Sequence, residues 1–239
     1  MTEALPDLRL YKVAESEALL LRVTEIFHSI QGESTWAGMP CTFVRLTGCP
    51  LRCVWCDTTY SFHGGENVSL EHILERVRMI GCPLVQITGG EPLVHPNAFE
   101  LVRRLLSEGY TVLIETSGSE DISTLDPRAH VIMDLKCPGS GESARNRWEN
   151  LNHLDDGDEI KFVISDRSDY EWSRGIIAER ELDRRVREGS LNAVLISPVW
   201  GSAGPNLEDL AGWILEDRLP VRIQTQLHKH IWDPTRRGV

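Results

Sequence analysis

Seven short runs constrain the fold of this chain more than any other feature. They are CTFVRLTG (41–48), LVQITGG (84–90), TVLIETSG (111–118), VIMDLK (131–136), EIKFVIS (159–165), AVLISPV (193–199) and VRIQTQL (221–227). Each is almost continuously apolar instead of alternating. That pattern belongs to strands buried on both faces, as in a parallel sheet wrapped by helices. Amphipathic stretches separate them, among them SLEHILERVRMI (69–80), NAFELVRRLLSEG (97–109) and NLEDLAGWILED (206–217). Ser69, Asn97 and Asn206 are expected as N-caps and Gly109 as a C-terminal stop. The alternation predicts an α/β fold, closed or partly closed. Nearly every run ends in a polar or glycine-rich cluster. Sites gather at the C-terminal ends of parallel strands, so these clusters are expected to converge.

Length and charge bound the rest. The chain has 239 residues and a net charge of −11, with 36 acids against 25 Lys and Arg. The acidic balance speaks against a nucleic-acid or anionic-membrane binder, which needs basic surface. A small anionic ligand in a local Arg/Lys pocket stays compatible with it. No apolar run is long enough to span a bilayer, and MTEALPDLRLYKVAESEALL lacks the basic and apolar regions of a signal peptide. A cytoplasmic protein is expected, with residues 1–20 a leader and 21–239 one core domain.

Three of the six cysteines crowd into GCPLRCVWC: Cys49, Cys53 and Cys56. Without an oxidising compartment, such crowding points to metal or catalysis more than to a disulfide framework. Structural zinc is the plainer reading, but it takes four Cys/His ligands, usually from paired units, and here one triplet stands alone. His63 could complete a site, yet it has no partner pair. A [4Fe–4S] cluster suits three thiolates better and leaves one iron open.

The triplet, with Trp55 before its last cysteine, resembles the signature of the radical S-adenosylmethionine (SAM) superfamily. Thr88-Gly89-Gly90-Glu91-Pro92 resembles that superfamily's GGEP motif, which receives the SAM amino group. The resemblance implies a shortened, incomplete (β/α) barrel. It also implies SAM contacts at Trp55, Cys56, Asp57, Gly90, Glu91, Glu115, Ser117, Asp134, Lys136, Ser197 and Trp200. In the implied chemistry an electron from the cluster cleaves SAM, and the adenosyl radical takes a hydrogen atom from a substrate. No side chain is assigned as a catalytic acid or base.

Three further features resemble the 7-carboxy-7-deazaguanine synthase family. Phe27-His28-Ser29-Ile30-Gln31-Gly32-Glu33 is similar to its S-x-QGE segment, which implies substrate contacts at Ile30, Gln31, Gly32 and Glu33, together with Thr88. An amide and a carboxylate complement the guanine-like edge of a pterin. Arg45 is a charge in an apolar run and needs a partner, either a substrate carboxylate or a structural acid such as Glu33. Thr58 matches the position of a Mg²⁺ ligand in that family. Gln224-Thr225-Gln226-Leu227-His228-Lys229 and the ending Arg236-Arg237-Gly238-Val239 are also similar, so the likeness runs over residues 22–239. It implies ring contraction of 6-carboxy-5,6,7,8-tetrahydropterin to 7-carboxy-7-deazaguanine with loss of ammonia, in a homodimer reduced by a flavodoxin or ferredoxin.

Other groups have plainer fates. Cys82 is expected as a buried apolar residue. Cys137 could touch SAM only through its backbone. His228 and His230 could reach the substrate or stay in a loop. Trp36, Trp200 and Trp232 could stack on a ring or pack in the core. Two rivals remain at this level: an activase that makes a glycyl radical on a partner protein, and a noncatalytic zinc module.

Overall fold

The computed structural model describes residues 19–239. All but the last two residues of the expected leader lie outside that range. In chain order the elements are β1 (Leu20–Ile30), β2 (Pro40–Leu46), β3 (Glu66–Ser69), α1 (Leu70–Ile80), β4 (Leu84–Gly89), α2 (Pro96–Ser107), β5 (Thr111–Thr116) and β6 (His130–Asp134). There follow β7 (Glu159–Ile164), α3 (Arg167–Glu179), α4 (Leu182–Arg187), β8 (Ala193–Pro198), α5 (Leu207–Asp217), β9 (Arg222–Ile223) and α6 (His228–Ile231). The strands form one sheet in the order β3-β1-β2-β4-β5-β6-β7-β8-β9. From β2 to β9 all neighbours are parallel, and β1 runs antiparallel to both β2 and β3. The sheet does not close, so the fold is the incomplete α/β barrel expected. Among the described residues no helix is long and apolar enough to cross a membrane.

The helices form where pattern and caps agree. In α1 the buried residues are Leu70, Ile73, Leu74 and Val77, one face of a 3.6-residue period. The Ser69 side chain accepts from the His72 N–H, and Gly81 closes the helix in the left-handed region at φ 72°. Asn206 caps α5 in the same way, through the Asp209 N–H. Asn97 does not cap α2. That helix starts one residue earlier, at Pro96, with His95 at the cap, and Asn97 Nδ2 instead donates to the Leu20 carbonyl. Proline has φ preset for a first turn and lacks the N–H that would go unpaired there, which moves the start. Gly109 lies just past the end of α2 at φ 87°, as a stop should.

Strand pleating separates two environments. Val44 and Leu46, Val85 and Ile87, Val112 and Ile114, Val131 and Met133, and Ile160 and Phe162 belong to one core shared with the helices. Phe43, Leu113 and Ile132 on the opposite face build a smaller apolar floor with Cys41, Cys82 and Leu84. Nearer the C-terminal strand ends that inner face turns polar: Arg45, Gln86, Thr88, Glu115, Asp134, Lys161 and Ser197 all face one cavity. The last strand is shorter than its apolar run. Only Arg222 and Ile223 are in register with β8, the Gln224 N–H still donates to the Ile196 carbonyl, and the Gln224 and Gln226 side chains reach the Ser34 N–H and Glu33.

Candidate active site

The cavity has a volume of about 630 Å³, within the range of small-molecule sites. The loop after β2 carries Cys49, Cys53 and Cys56, and all three line it. Two glycines hold that loop on the end of β4. A β-carbon on Gly89 would lie 2.3 Å from the Leu46 carbonyl oxygen, and one on Gly90 would lie 2.3 Å from that of Gly48. The Gly90 and Glu91 N–H groups donate to those two carbonyls. The glycines of TGGEP therefore first admit the cysteine loop itself.

All six cysteines are free thiols. Burial pushes the Cys49, Cys53 and Cys56 thiols up, Cys53 to about 11. Among the described residues no three His, Cys, Asp or Glu side chains stand close enough together to hold a single metal ion directly. Three thiols without a fourth Cys or His are the donor set of an iron–sulfur cluster with one open iron, in which each thiolate takes a different iron. Cys41, Cys82 and Cys137 are buried away from the loop, as packing residues.

The remaining expected residues converge on the same space. Ile30, Gln31, Gly32, Glu33, Arg45, Trp55, Asp57, Thr58, Thr88, Gly90, Glu115, Ser117, Asp134, Lys136, Ser197 and Trp200 all line the cavity. Glu91 stands behind the wall. Its carboxylate is fully buried and accepts from the Leu93 and Ser117 N–H groups and from the Thr116 and Ser117 hydroxyls. It holds the end of β5, and with it Ser117, in place. Trp36 packs on the apolar floor and His130, away from the cavity. His228 lines the cavity, and a β-carbon on Gly32 would collide with its ring.

Arg45 has a structural partner, Glu25 rather than Glu33. Its Nε donates to Glu25 Oε1 at 2.7 Å, and the Tyr60 hydroxyl donates to the same oxygen at 2.9 Å. Glu33 pairs with a residue the sequence reading passed over. Lys161, from the middle of β7, donates to Glu33 Oε2 and Glu115 Oε1, both at 2.7 Å. Burial works against both charges, but the facing carboxylates hold the Lys161 ammonium well above its ordinary range and Lys161 in turn lowers Glu33. Lys136 donates to Asp134 Oδ2 at 2.8 Å, while Asp134 Oδ1 is buried with no hydrogen-bond partner among the described residues. Asp57 accepts from Lys229, Gln226 and the Thr58 hydroxyl. The signal for Lys161 and Gln86 was present: each is a lone polar residue amid apolar neighbours, the argument that singled out Arg45.

A thiol triplet on a glycine-seated loop, at the C-terminal ends of an open parallel barrel, defines a radical SAM protein. The Radical SAM superfamily model matches residues 43–135. A 7-carboxy-7-deazaguanine synthase of Koribacter versatilis is 43% identical over 92% of this chain and all of its own length. One from Chlorobaculum tepidum is 42% identical over 92% of this chain and 97% of its own. The chain belongs to the 7-carboxy-7-deazaguanine synthase family. The crystal structure of QueE from Escherichia coli matches the fold with a TM-score of 0.67, at 24% identity, over 86% of this chain and 94% of that one.

Proposed function

We propose that this chain is a 7-carboxy-7-deazaguanine synthase that contracts the ring of 6-carboxy-5,6,7,8-tetrahydropterin with loss of ammonia. The observation that carries the reading is the sharing of one cavity by the cysteine loop and by Gln31, Glu33 and Arg45. A radical centre and a polar face suited to a pterin acid thus open into the same space. A [4Fe–4S] cluster on Cys49, Cys53 and Cys56, with SAM on its open iron, would supply the radical that removes a hydrogen atom from the substrate.

The chain's own residues would bind and orient. The unpartnered Oδ1 of Asp134 offers an acceptor to a cofactor donor, and Ser117 offers a hydroxyl. The terminal nitrogens of Arg45, beyond the Nε used by Glu25, have no hydrogen-bond partner among the described residues and would fork onto the substrate carboxylate. Glu33 would accept from the donor edge of the pterin. Thr58 and the adjoining Asp57 carboxylate present hard oxygens, the ligand type Mg²⁺ prefers. The phenylalanines 27 and 43, stacked with centroids 4.8 Å apart, give the pocket a flat apolar wall. A flavodoxin or ferredoxin as reductant, a homodimer and a cytoplasmic setting belong to the same reading.

An anaerobic turnover assay tests it. Protein reconstituted with iron and sulfide receives SAM, dithionite, Mg²⁺ and the tetrahydropterin, and mass spectrometry follows the products. 7-Carboxy-7-deazaguanine is expected, and it should be absent with Cys53→Ala. SAM cleavage without that product would discard the substrate.

A further inference from the structure

The hydrogen bonds on the inner face of the barrel close into a ring. Lys161 Nζ donates to Glu33 Oε2 and to Glu115 Oε1. The Glu33 N–H donates to Gln31 Oε1 at 3.1 Å. Gln31 Nε2 donates to Gln86 Oε1, and Gln86 Nε2 donates to Glu115 Oε2 at 2.8 Å. The five residues come from the segment after β1 and from β4, β5 and β7. All but Glu115 and Glu33 are nearly inaccessible, with Gln31 and Gln86 each 3% exposed.

An ammonium can only donate, and an ionised carboxylate can only accept. Every other direction in the ring follows from those two facts. Because Glu115 is held as an acceptor, Gln86 must turn its amide nitrogen toward it and its oxygen toward Gln31. Gln31 must then present nitrogen to Gln86 and oxygen to the Glu33 N–H. Protonation of either carboxylate would put a donor where the ring needs an acceptor. Three carboxylates, Glu33, Glu115 and Asp134, already outnumber the two ammoniums they share, Lys161 and Lys136, and removal of Lys161 leaves them with one.

We propose that Lys161 is a positioning residue that fixes both Glu33 and Glu115 as acceptor-only carboxylates, Glu33 at the substrate-binding edge itself and Glu115 as the acceptor that orients Gln86 and through it Gln31. The inference rests on the pterin reading above, because a pterin's guanine-like edge brings N–H donors to that face. Lys161 need not touch the substrate. It keeps Glu33 from taking up a proton and answering a donor with a donor. The other charged or titratable groups facing Glu33 are Glu115 from β5, Asp134 from β6, Asp57 from the cysteine loop, and His228 and Lys229 from α6.

The test uses cluster-loaded enzyme with SAM and Mg²⁺ but no reductant, and pterin-6-carboxylate as a fluorescent, unreactive probe. Its Kd is measured from pH 5 to pH 7, where the probe keeps its ring N–H and an ionised carboxylate, for wild type and Lys161→Met. Wild type should bind with little pH dependence on its own part. The methionine variant should bind about tenfold more weakly at pH 5 than at pH 7, because burial raises Glu33 once the ammonium that lowers it is gone. Lys161→Arg, which restores the charge, should flatten the profile again. If the methionine variant does not fold, Lys161→Gln replaces it with the same acid limb expected. A variant profile parallel to wild type would overturn the proposal and leave Lys161 a structural residue. Failure of wild type itself to bind the probe would instead discard the pterin reading, and this inference with it.

Discussion

A β-carbon on Gly90 would lie 2.3 Å from the carbonyl oxygen of Gly48 and 2.6 Å from Cys49 Cβ. The turn just past β4 that carries Gly90 and the loop carrying the first cysteine are therefore in backbone contact, and neither can move alone. Gly90→Ala should force the loop off β4. The expected cost is about 1–3 kcal/mol of overpacking. Iron retained after anaerobic reconstitution should fall well below wild type. Gly175→Ala is the control: in α3 nothing lies within 4 Å of its added carbon, and alanine there should stabilise the helix by about 0.5–1 kcal/mol. Urea unfolding and iron analysis of both variants check the pair of outcomes.

Thiol reactivity should separate the six cysteines. Burial raises Cys49, Cys53 and Cys56, so in metal-free protein at pH 7 they are neutral thiols and react slowly. Their alkylation by iodoacetamide should climb roughly tenfold per pH unit, following the thiolate fraction. For Cys53, raised to about 11, the climb should continue beyond the pH at which a free thiol levels off. Cys41 and Cys137, at 0% and 1% exposure, should stay unlabelled until the chain unfolds. Cluster loading should protect the first three. Peptide mass spectrometry after timed alkylation reads each site, and labelling of Cys53 that has already levelled off by pH 9 would contradict the burial described.

Asp158, just before β7, should make stability depend on pH. Its carboxylate accepts from the Val131 and Asp155 N–H groups, but burial dominates and lifts it to about 6 from 3.8. The folded chain thus keeps a proton that the unfolded chain has released. The stabilisation is complete below pH 3.8 and lost as pH rises through 6. Two units correspond to about 3 kcal/mol. Asp158→Asn carries no charge at any pH and keeps an acceptor for Val131. Relative to that variant, wild type should lose stability between pH 4 and pH 7, as read from urea midpoints at each pH.

The parallel core was legible because its strands are buried on both faces and leave continuous apolar runs. β1 was not, because LLRVTEIFHSI mixes Arg22, Thr24, Glu25, His28 and Ser29 with its apolar residues. It is an antiparallel strand beside the barrel mouth, where one face meets water and site, and the continuous-run pattern does not describe it. β3 escaped for a similar reason: ENVS is four residues long and sits at the sheet edge. The thiol loop was legible from its cysteine spacing together with its resemblance to the radical SAM signature and the TGGEP segment that follows. The partners of Arg45 and Glu33 were not: strand register places Glu25 of β1 opposite Arg45, and Glu33, past the end of β1, meets Lys161 of the distant β7 only where the curved sheet brings them across the cavity. Glu91 illustrates a further limit. Its position in TGGEP is a motif position, but its side chain turns inward to organise Thr116 and Ser117.

Arg45 offers the sharpest division between substrate and cofactor functions. Glu25 holds the guanidinium by its Nε, and the Phe27 and Tyr60 rings lie 5.7 and 5.9 Å from its carbon. These contacts fix its plane without using its terminal nitrogens. A carboxylate entering the cavity would meet two parallel donors, which a lysine ammonium cannot reproduce. Hydrogen bonds to charged groups contribute roughly 1.5–3 kcal/mol. Arg45→Lys should therefore raise the KM for the carboxypterin by about 10–150-fold, while iron content and SAM affinity stay near wild type. A probe lacking the carboxylate should bind wild type and variant alike. If Arg45→Lys weakens both probes equally, its role is to support Glu25 and the β1–β2 pair, and the carboxylate must be held elsewhere in the cavity.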